Sequence, residues 1–312
     1  MKALVSLFIG LLLAAGLTAG CGAAPSSRDA AASDPTETLA SEGDEPPVTS
    51  VTAKSGSTSA RLSYSIPRGA AYFHATLTID RSGKREFAGP VEPYSEQLEF
   101  SGTKPVAVHG GNPLTVTDLD GDGEPEVLVD LYWGGVHCCW WSRIYRWHPA
   151  KAAYISSAHF WGNFAYRLVD LDKNRQLEFV SADNRFAYEF TSFAASSFPL
   201  QIWTYRGGRL LDTTRDYPAL IADDAQQQWR LYRDEFARSN AEDRAMRGFL
   251  AAWAADECLL DRCDQALATL YDARGDFAAE EWQSGSAAEY LKHLYAFLDR
   301  TGYLRPAPAG SD

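Results

Sequence analysis

The chain has 312 residues, with 41 acidic against 29 basic side chains and a formal charge of −12. A net charge of that sign and size repels nucleic-acid phosphates and anionic lipid headgroups, so neither is the expected partner. With 46% hydrophobic and 12% aromatic residues, the chain has enough apolar surface for one large core or two small ones.

Met1-Lys2 is a short basic start. Residues 3–17 form an apolar run too short to span a bilayer comfortably, and Thr18-Ala19-Gly20-Cys21 closes it with small residues before a cysteine. This arrangement resembles a bacterial lipoprotein signal peptide, residues 1–20. The resemblance implies lipid on Cys21, contact with the membrane through that lipid, and export to the outer side of the cell membrane or its periplasmic face. Loss of Lys2 with the signal takes the charge to −12 − 1 = −13. Residues 21–58 are rich in Ala, Ser, Thr, Pro and acids and contain no aromatic residue, so they read as a flexible tether.

The folded body is expected to be β-rich over residues 59–216 and helical over 217–306, followed by a disordered tail at 307–312. Early in it, Tyr72 to Ile79 and Arg85 to Val91 flank Arg81-Ser82-Gly83-Lys84, the pattern of a hairpin.

Asp118-Leu119-Asp120-Gly121-Asp122-Gly123-Glu124-Pro125-Glu126 comes next. Carboxylates at alternate positions, with glycine in the sixth place, suit calcium, which takes six to eight oxygens at about 2.3–2.6 Å. Asp118, Asp120, Asp122 and Glu126 are the expected side-chain ligands, and Glu124 offers its backbone carbonyl. An EF-hand is excluded, because the twelfth position, which needs a bidentate Glu, is Val129. The following Val127-Leu128-Val129-Asp130-Leu131-Tyr132 reads as a strand.

Trp133-Gly134-Gly135-Val136-His137-Cys138-Cys139-Trp140-Trp141 supports two readings. Trp133, His137, Trp140 and Trp141 form an exposed platform for a sugar or apolar ligand, or the tryptophans cover a disulfide and fill the core. A copper or zinc site on His137 and the two sulfurs is disfavoured, since adjacent residues reach one metal poorly. With Cys21 set aside, Cys138, Cys139, Cys258 and Cys263 remain, and three pairings are open. Cys138 with Cys139 and Cys258 with Cys263 is the favoured one; the others would staple the β part to the helices.

The acidic pattern returns 52 residues later (170 − 118) as Asp170, Asp172, Asn174, Gln176 and Glu178. Asn174 is a neutral ligand, Gln176 holds the backbone position, and Arg175 stands where the turn prefers glycine, so a weaker site is expected. Each loop is followed by an aromatic strand, Ile144-Tyr145-Arg146-Trp147 and Ile202-Trp203-Thr204-Tyr205. The second copy is longer by (202 − 170) − (144 − 118) = 6 residues, an insertion near residues 194–198. These loops resemble the FG-GAP and VCBS repeats of integrin-type β-propellers, whose signature is D-x-D-x-D-G-x-x-D/E between two strands. The resemblance covers about residues 114–210. It implies calcium and blade-like sheets, and two clear copies imply a partial propeller rather than a closed ring of about four to eight blades.

Beyond Tyr217-Pro218 the apolar spacing turns helical, at Phe249, Leu250, Trp253 and Ala254, at Leu267, Leu270 and Tyr271, and along residues 287–298. About four helices are expected, with Asp256-Glu257 and Glu280-Glu281 on solvated faces. The expected fold class is α+β: a partial propeller-like antiparallel β-domain followed by a helical region.

No G-x-S-x-G, H-E-x-x-H, phosphate loop or G-x-G-x-x-G occurs, and no catalytic residue is assigned. The function expected is an exported, lipid-anchored, calcium-stabilised binding protein of the bacterial cell surface, with a protein or glycan partner. The alternative is a cell-envelope hydrolase with a structural or active-site calcium.

Overall fold

Alternating β-branched and small polar residues start the first sheet earlier than expected. Val48–Ser55 (β1) pairs antiparallel with Thr58–Ser65 (β2) along its whole length, so residues 48–58 of the expected tether 21–58 belong to a hairpin instead. Most β1 side chains are exposed, and an edge strand held by backbone hydrogen bonds needs few apolar residues. The computed structural model describes residues 48–65, 75–92, 104–106, 108, 112–133, 139–238, 246–277 and 285–304. All lie in one compact unit, Glu45–Asp312. The signal peptide, Cys21, His137, Cys138, Glu280, Glu281 and residues 307–312 fall outside the described residues.

Thr76–Arg81 (β3) and Lys84–Pro90 (β4) complete a meander in the order β1-β2-β3-β4. Ser82 and Gly83 close the expected hairpin with φ of 51° and 80°, the backbone sense that a two-residue turn between twisted strands requires. The second sheet comprises Lys104–Pro105 (β5), Leu114–Thr117 (β6), Glu126–Tyr132 (β7), Trp140–His148 (β8) and Ala153–Gly162 (β9). There β5 and β6 share one edge of β7, and β8 and β9 follow in order. Arg167–Val169 (β10), Glu178–Ala182 (β11), Leu200–Arg206 (β12) and Arg209–Asp212 (β13) make a third meander. Then come Pro218–Arg238 (α1), Arg247–Leu259 (α2), Cys263–Asp272 (α3) and Ala287–Arg300 (α4). The α+β class is therefore observed, as three antiparallel sheets and four helices among the described residues. None of these helices is long and apolar enough to cross a membrane.

The period-2 alternation of β7 divides its side chains between two cores. Val127, Val129 and Leu131 face Leu62, Leu77 and Ile79 of the first sheet, while Leu128 joins Leu119, Ile144, Phe179 and Tyr205 toward the third. The helices enclose a third core, into which the segment after β11 inserts Phe186 and Phe190. The Cys258–Cys263 disulfide forms as favoured and links the last turn of α2 to the start of α3.

Two expectations are corrected here. Trp141 is 3% exposed and belongs to the core between the first two sheets, so it is no part of an exposed platform. Asp256, expected on a solvated face, is fully buried in α2 against Asp224 of α1. Burial and the facing carboxyl both raise its pKa well above the ordinary range, and burial raises that of Asp224 as well.

A polar knot lies between the second and third sheets. Buried Asp130 accepts hydrogen bonds from Ser142 Oγ at 2.6 Å and Tyr166 Oη at 2.7 Å, and Trp161 Nε1 donates to Ser142 Oγ at 2.8 Å. Burial pushes the Asp130 carboxyl up to about 7, despite the two hydroxyl donors. An acid with a raised native pKa makes the unfolded chain release its proton first. This group's contribution therefore falls as pH rises from about 4 to about 7 and levels off above. Asp130→Asn is expected to flatten that part of the stability-pH curve and to be more stable than the parent at pH 8 by roughly 1–3 kcal/mol. Urea unfolding at pH 5 and pH 8 checks this; a parallel loss at both pH values would show that Asp130 is charged throughout.

Candidate metal centre

Each acidic loop connects two paired strands, the first from β6 to β7 and the second from β10 to β11. Glu126 and Glu178 are the first residues of β7 and β11, and each is 1% exposed. Each turns a carboxylate back to close its loop: Leu119 N donates to Glu126 Oε2 and Leu171 N to Glu178 Oε2, both at 2.9 Å.

Much of the remaining hydrogen bonding repeats as well, except that Gly121 N donates to Asp118 Oδ1 at 2.8 Å while Asp170 Oδ1 receives no such bond. Gly123 N donates to Asp118 Oδ2 at 2.9 Å and Arg175 N to Asp170 Oδ2 at 3.2 Å. Glu124 N donates to Asp122 Oδ1 at 2.8 Å and Gln176 N to Asn174 Oδ1 at 2.7 Å. Gly121 and Gly123 take φ of 75° and 87°; their counterparts Lys173 and Arg175 take 64° and 76° without being glycine. A non-glycine residue in that region costs of order 1 kcal/mol.

Three acids converge in each loop. One oxygen from each of Asp118, Asp120 and Glu126 lies within 4.8 Å of the others, and the same holds for Asp170, Asp172 and Glu178. Asp122 is not among the three acids that converge in the first loop; its Oδ1 accepts from Glu124 N. The Glu124 carboxylate is held instead by Arg81 of β3, through Nε at 2.8 Å and Nη2 at 2.6 Å, and this holds it below the usual range. Gln176 donates through Nε2 to the carbonyls of Tyr205 at 3.1 Å and Asp120 at 3.4 Å, joining the second loop to the first.

The donor set fits a hard divalent cation. Burial, followed by repulsion from the neighbouring aspartates, pushes Glu126 up to about 8, and burial likewise raises Asp120 and Glu178. Crowded, desolvated carboxylates of this kind are relieved by a positive ion. In the second loop Asp170 Oδ1 is a buried oxygen without a hydrogen-bond partner. In the first, Arg146 of β8 stands beside the acids, 3.9 Å from Asp120, 3.8 Å from Asp122 and 4.0 Å from Glu126.

Of the aromatic segment, Trp133 is 37% exposed, and Trp140 packs on Tyr132 with ring centroids 4.8 Å apart. Cys139 is disulfide-bonded and buried, with its partner outside the described residues. Arg81 and Arg146 escaped the sequence reading. The available signal was strand register: Val127 pairs with Tyr145, so the next pair outward sets Glu126 against Arg146.

No family model matches the chain, and no solved structure matches it. It is similar to a probable thylakoid lumen protein of Synechocystis, 27% identical over 285 residues that cover 86% of this chain and 79% of that protein. It is also similar to an uncharacterised protein of Sinorhizobium fredii, 32% identical over 221 residues. That match covers 60% of this chain and 31% of the other, so the chain spans under a third of that protein.

The loop geometry predicts opposite outcomes for two substitutions in chelator. Arg175→Gly is expected to raise the melting temperature by about 2–4 °C, since it removes roughly 1 kcal/mol of backbone strain. Gly123→Ala is expected to lower it by a similar amount; a Cβ there meets nothing within 4 Å, so the penalty is backbone conformation alone. Scanning calorimetry checks both, and equal effects of the same sign would refute the shared geometry.

Proposed function

We propose that the chain is an exported, lipid-anchored binding protein of the cell surface, built on a partial propeller of FG-GAP/VCBS-like repeats and stabilised by calcium. The observation that carries the calcium reading is the second loop: it keeps most of the hydrogen bonds and the positive φ values of the first although Lys173 and Arg175 replace both glycines. A bound cation would offset the cost of holding that backbone against its own residue preference, and the converging acids are of the kind such an ion takes.

Asp118, Asp120 and Glu126 would hold one ion, and Asp170, Asp172 and Glu178 another. Bound there, calcium supplies positive charge where strands begin, and the role is structural: the ion ties β6 to β7 and β10 to β11. The partial propeller is supported by three meanders in succession and by two cores between neighbouring sheets. Export is supported by the signal-like N-terminus and by the similarity to a protein whose name places it in the thylakoid lumen. A protein or glycan partner would use exposed Trp133, with half-buried Trp140 offering the remainder of its ring. A hydrolase would call on a carboxyl pair such as Asp224 and Asp256, but Asp256 is closed to solvent.

Calcium at about a hundred times its dissociation constant is expected to raise the melting temperature of the chelator-treated protein by about 5–10 °C. The double variant Asp118→Asn/Asp170→Asn should lose that rise. A melting temperature indifferent to calcium in the parent would remove the calcium reading.

A further inference from the structure

Strand register makes Arg146 and Thr204 equivalent positions of the two repeats. Val127 pairs with Tyr145 on β8, which sets Arg146 opposite Glu126; Thr204 on β12 pairs directly with Glu178. Each residue therefore stands across the strand from the carboxylate that closes its loop, yet one is a cation and the other a neutral hydroxyl. Arg146 lies within 4.0 Å of three loop-1 acids. Thr204 is buried and bonded to Thr213 Oγ1 at 2.7 Å, and it offers loop 2 no charge.

The cations of loop 2 do not replace it. Lys173 and Arg175 are exposed, and no ion pair within 4 Å joins them to Asp170, Asp172 or Glu178. Exposed charges at larger distance are screened by water and salt. Loop 1 has further relief in Arg81, which takes up Glu124. In loop 2 the Asp170 Oδ1 atom is left buried and unpaired.

We infer that Arg146 is a built-in counter-ion for loop 1. Loop 1 then keeps its shape without metal and takes calcium weakly, whereas loop 2 is the site that depends on a cation. This rests on the calcium reading and reverses the ranking that the ligand types alone suggest. A guanidinium about 4 Å from the ligand oxygens must be displaced by an entering divalent ion, or share the site with it against Coulomb repulsion. Its side chain is long enough to swing aside, so the site is weakened without being closed.

The test is calorimetric titration of calcium into the full-length chain after chelator treatment. In an Asp172→Asn background, which isolates loop 1, Arg146→Gln is expected to tighten calcium binding at least tenfold. The same change should lower the calcium-free melting temperature by several degrees. An Asp118→Asn protein, which isolates loop 2, should bind more tightly than the Asp172→Asn protein. If Arg146→Gln fails to fold, Thr204→Arg serves: it installs the guanidinium over loop 2 and should weaken that site by tenfold or more. Unchanged or weaker loop-1 binding in Arg146→Gln, or unchanged loop-2 binding in Thr204→Arg, overturns the inference while calcium binding by the parent stands. Absence of binding in every form, the parent included, overturns the calcium reading and the inference together.

Discussion

Five carboxylates within the nine residues from Asp118 to Glu126 have to be neutralised, and much of the sheet packing is organised around doing so. Arg81 reaches from the first sheet to Glu124, and Arg146 leans from β8 toward Asp120, Asp122 and Glu126. The Arg81 guanidinium also lies over the Trp147 ring, 4.8 Å from its centroid, so the charge that steadies the loop is seated on the same apolar wall as the sheet interface. Electrostatics and packing are therefore one problem here. In the first loop Arg81 and Arg146 bring positive charge to the acids that surround Glu126, buried at the first position of β7.

The acidic loops were legible from sequence because their chemistry is local. In the first loop nine residues contain the ligands and the turn glycines, and the strand continues directly from the last of them. The helices after residue 217 were legible for a similar reason, since apolar spacing is read within one segment; α4 begins at Ala287 as expected and runs on to Arg300. Its start is marked by Ser286 and Glu289, a capping box formed by neighbours in sequence. What was not legible depends on pairing across long separations. Arg81 and Glu124 are 43 residues apart, and Tyr166 and Asp130 are 36 apart. β1 was missed because its exposed Ser, Thr and Lys residues share the composition of a tether, and only its partner strand makes it a strand. Asp256 was misjudged because an acidic pair usually faces water, whereas here it meets Asp224 from another helix.

The joint between sheets and helices is made largely by the segment between β11 and β12. After β11, Asp183 accepts hydrogen bonds from Tyr303 Oη at 2.8 Å and from Arg185, whose Nη1 donates to the carbonyl of Thr301 at 3.0 Å. Phe186 and Phe190 then enter the helical core against Phe297. Arg215, just after β13, donates to the carbonyls of Leu259 and Tyr303, both at 2.9 Å, and so gathers the ends of α2 and α4. The segment that follows β11 thus anchors the helices to the third sheet.

Loop 2 lies next to that joint, and its neutral cross-strand partner gains meaning there. The Tyr217 hydroxyl, immediately before α1, hydrogen-bonds Glu178, while Gln176 holds the carbonyls of Asp120 and Tyr205. One short loop thereby touches the first loop, β12 and the start of the helical part. A guanidinium at Thr204 would bring a fixed positive charge to Glu178, whereas the Thr204 hydroxyl brings none. On the calcium reading, loop 1 is a fixed brace within the sheets and loop 2 couples cation occupancy to the place where the sheets meet the helices. The two loops share a backbone, and one cross-strand residue separates their electrostatic roles.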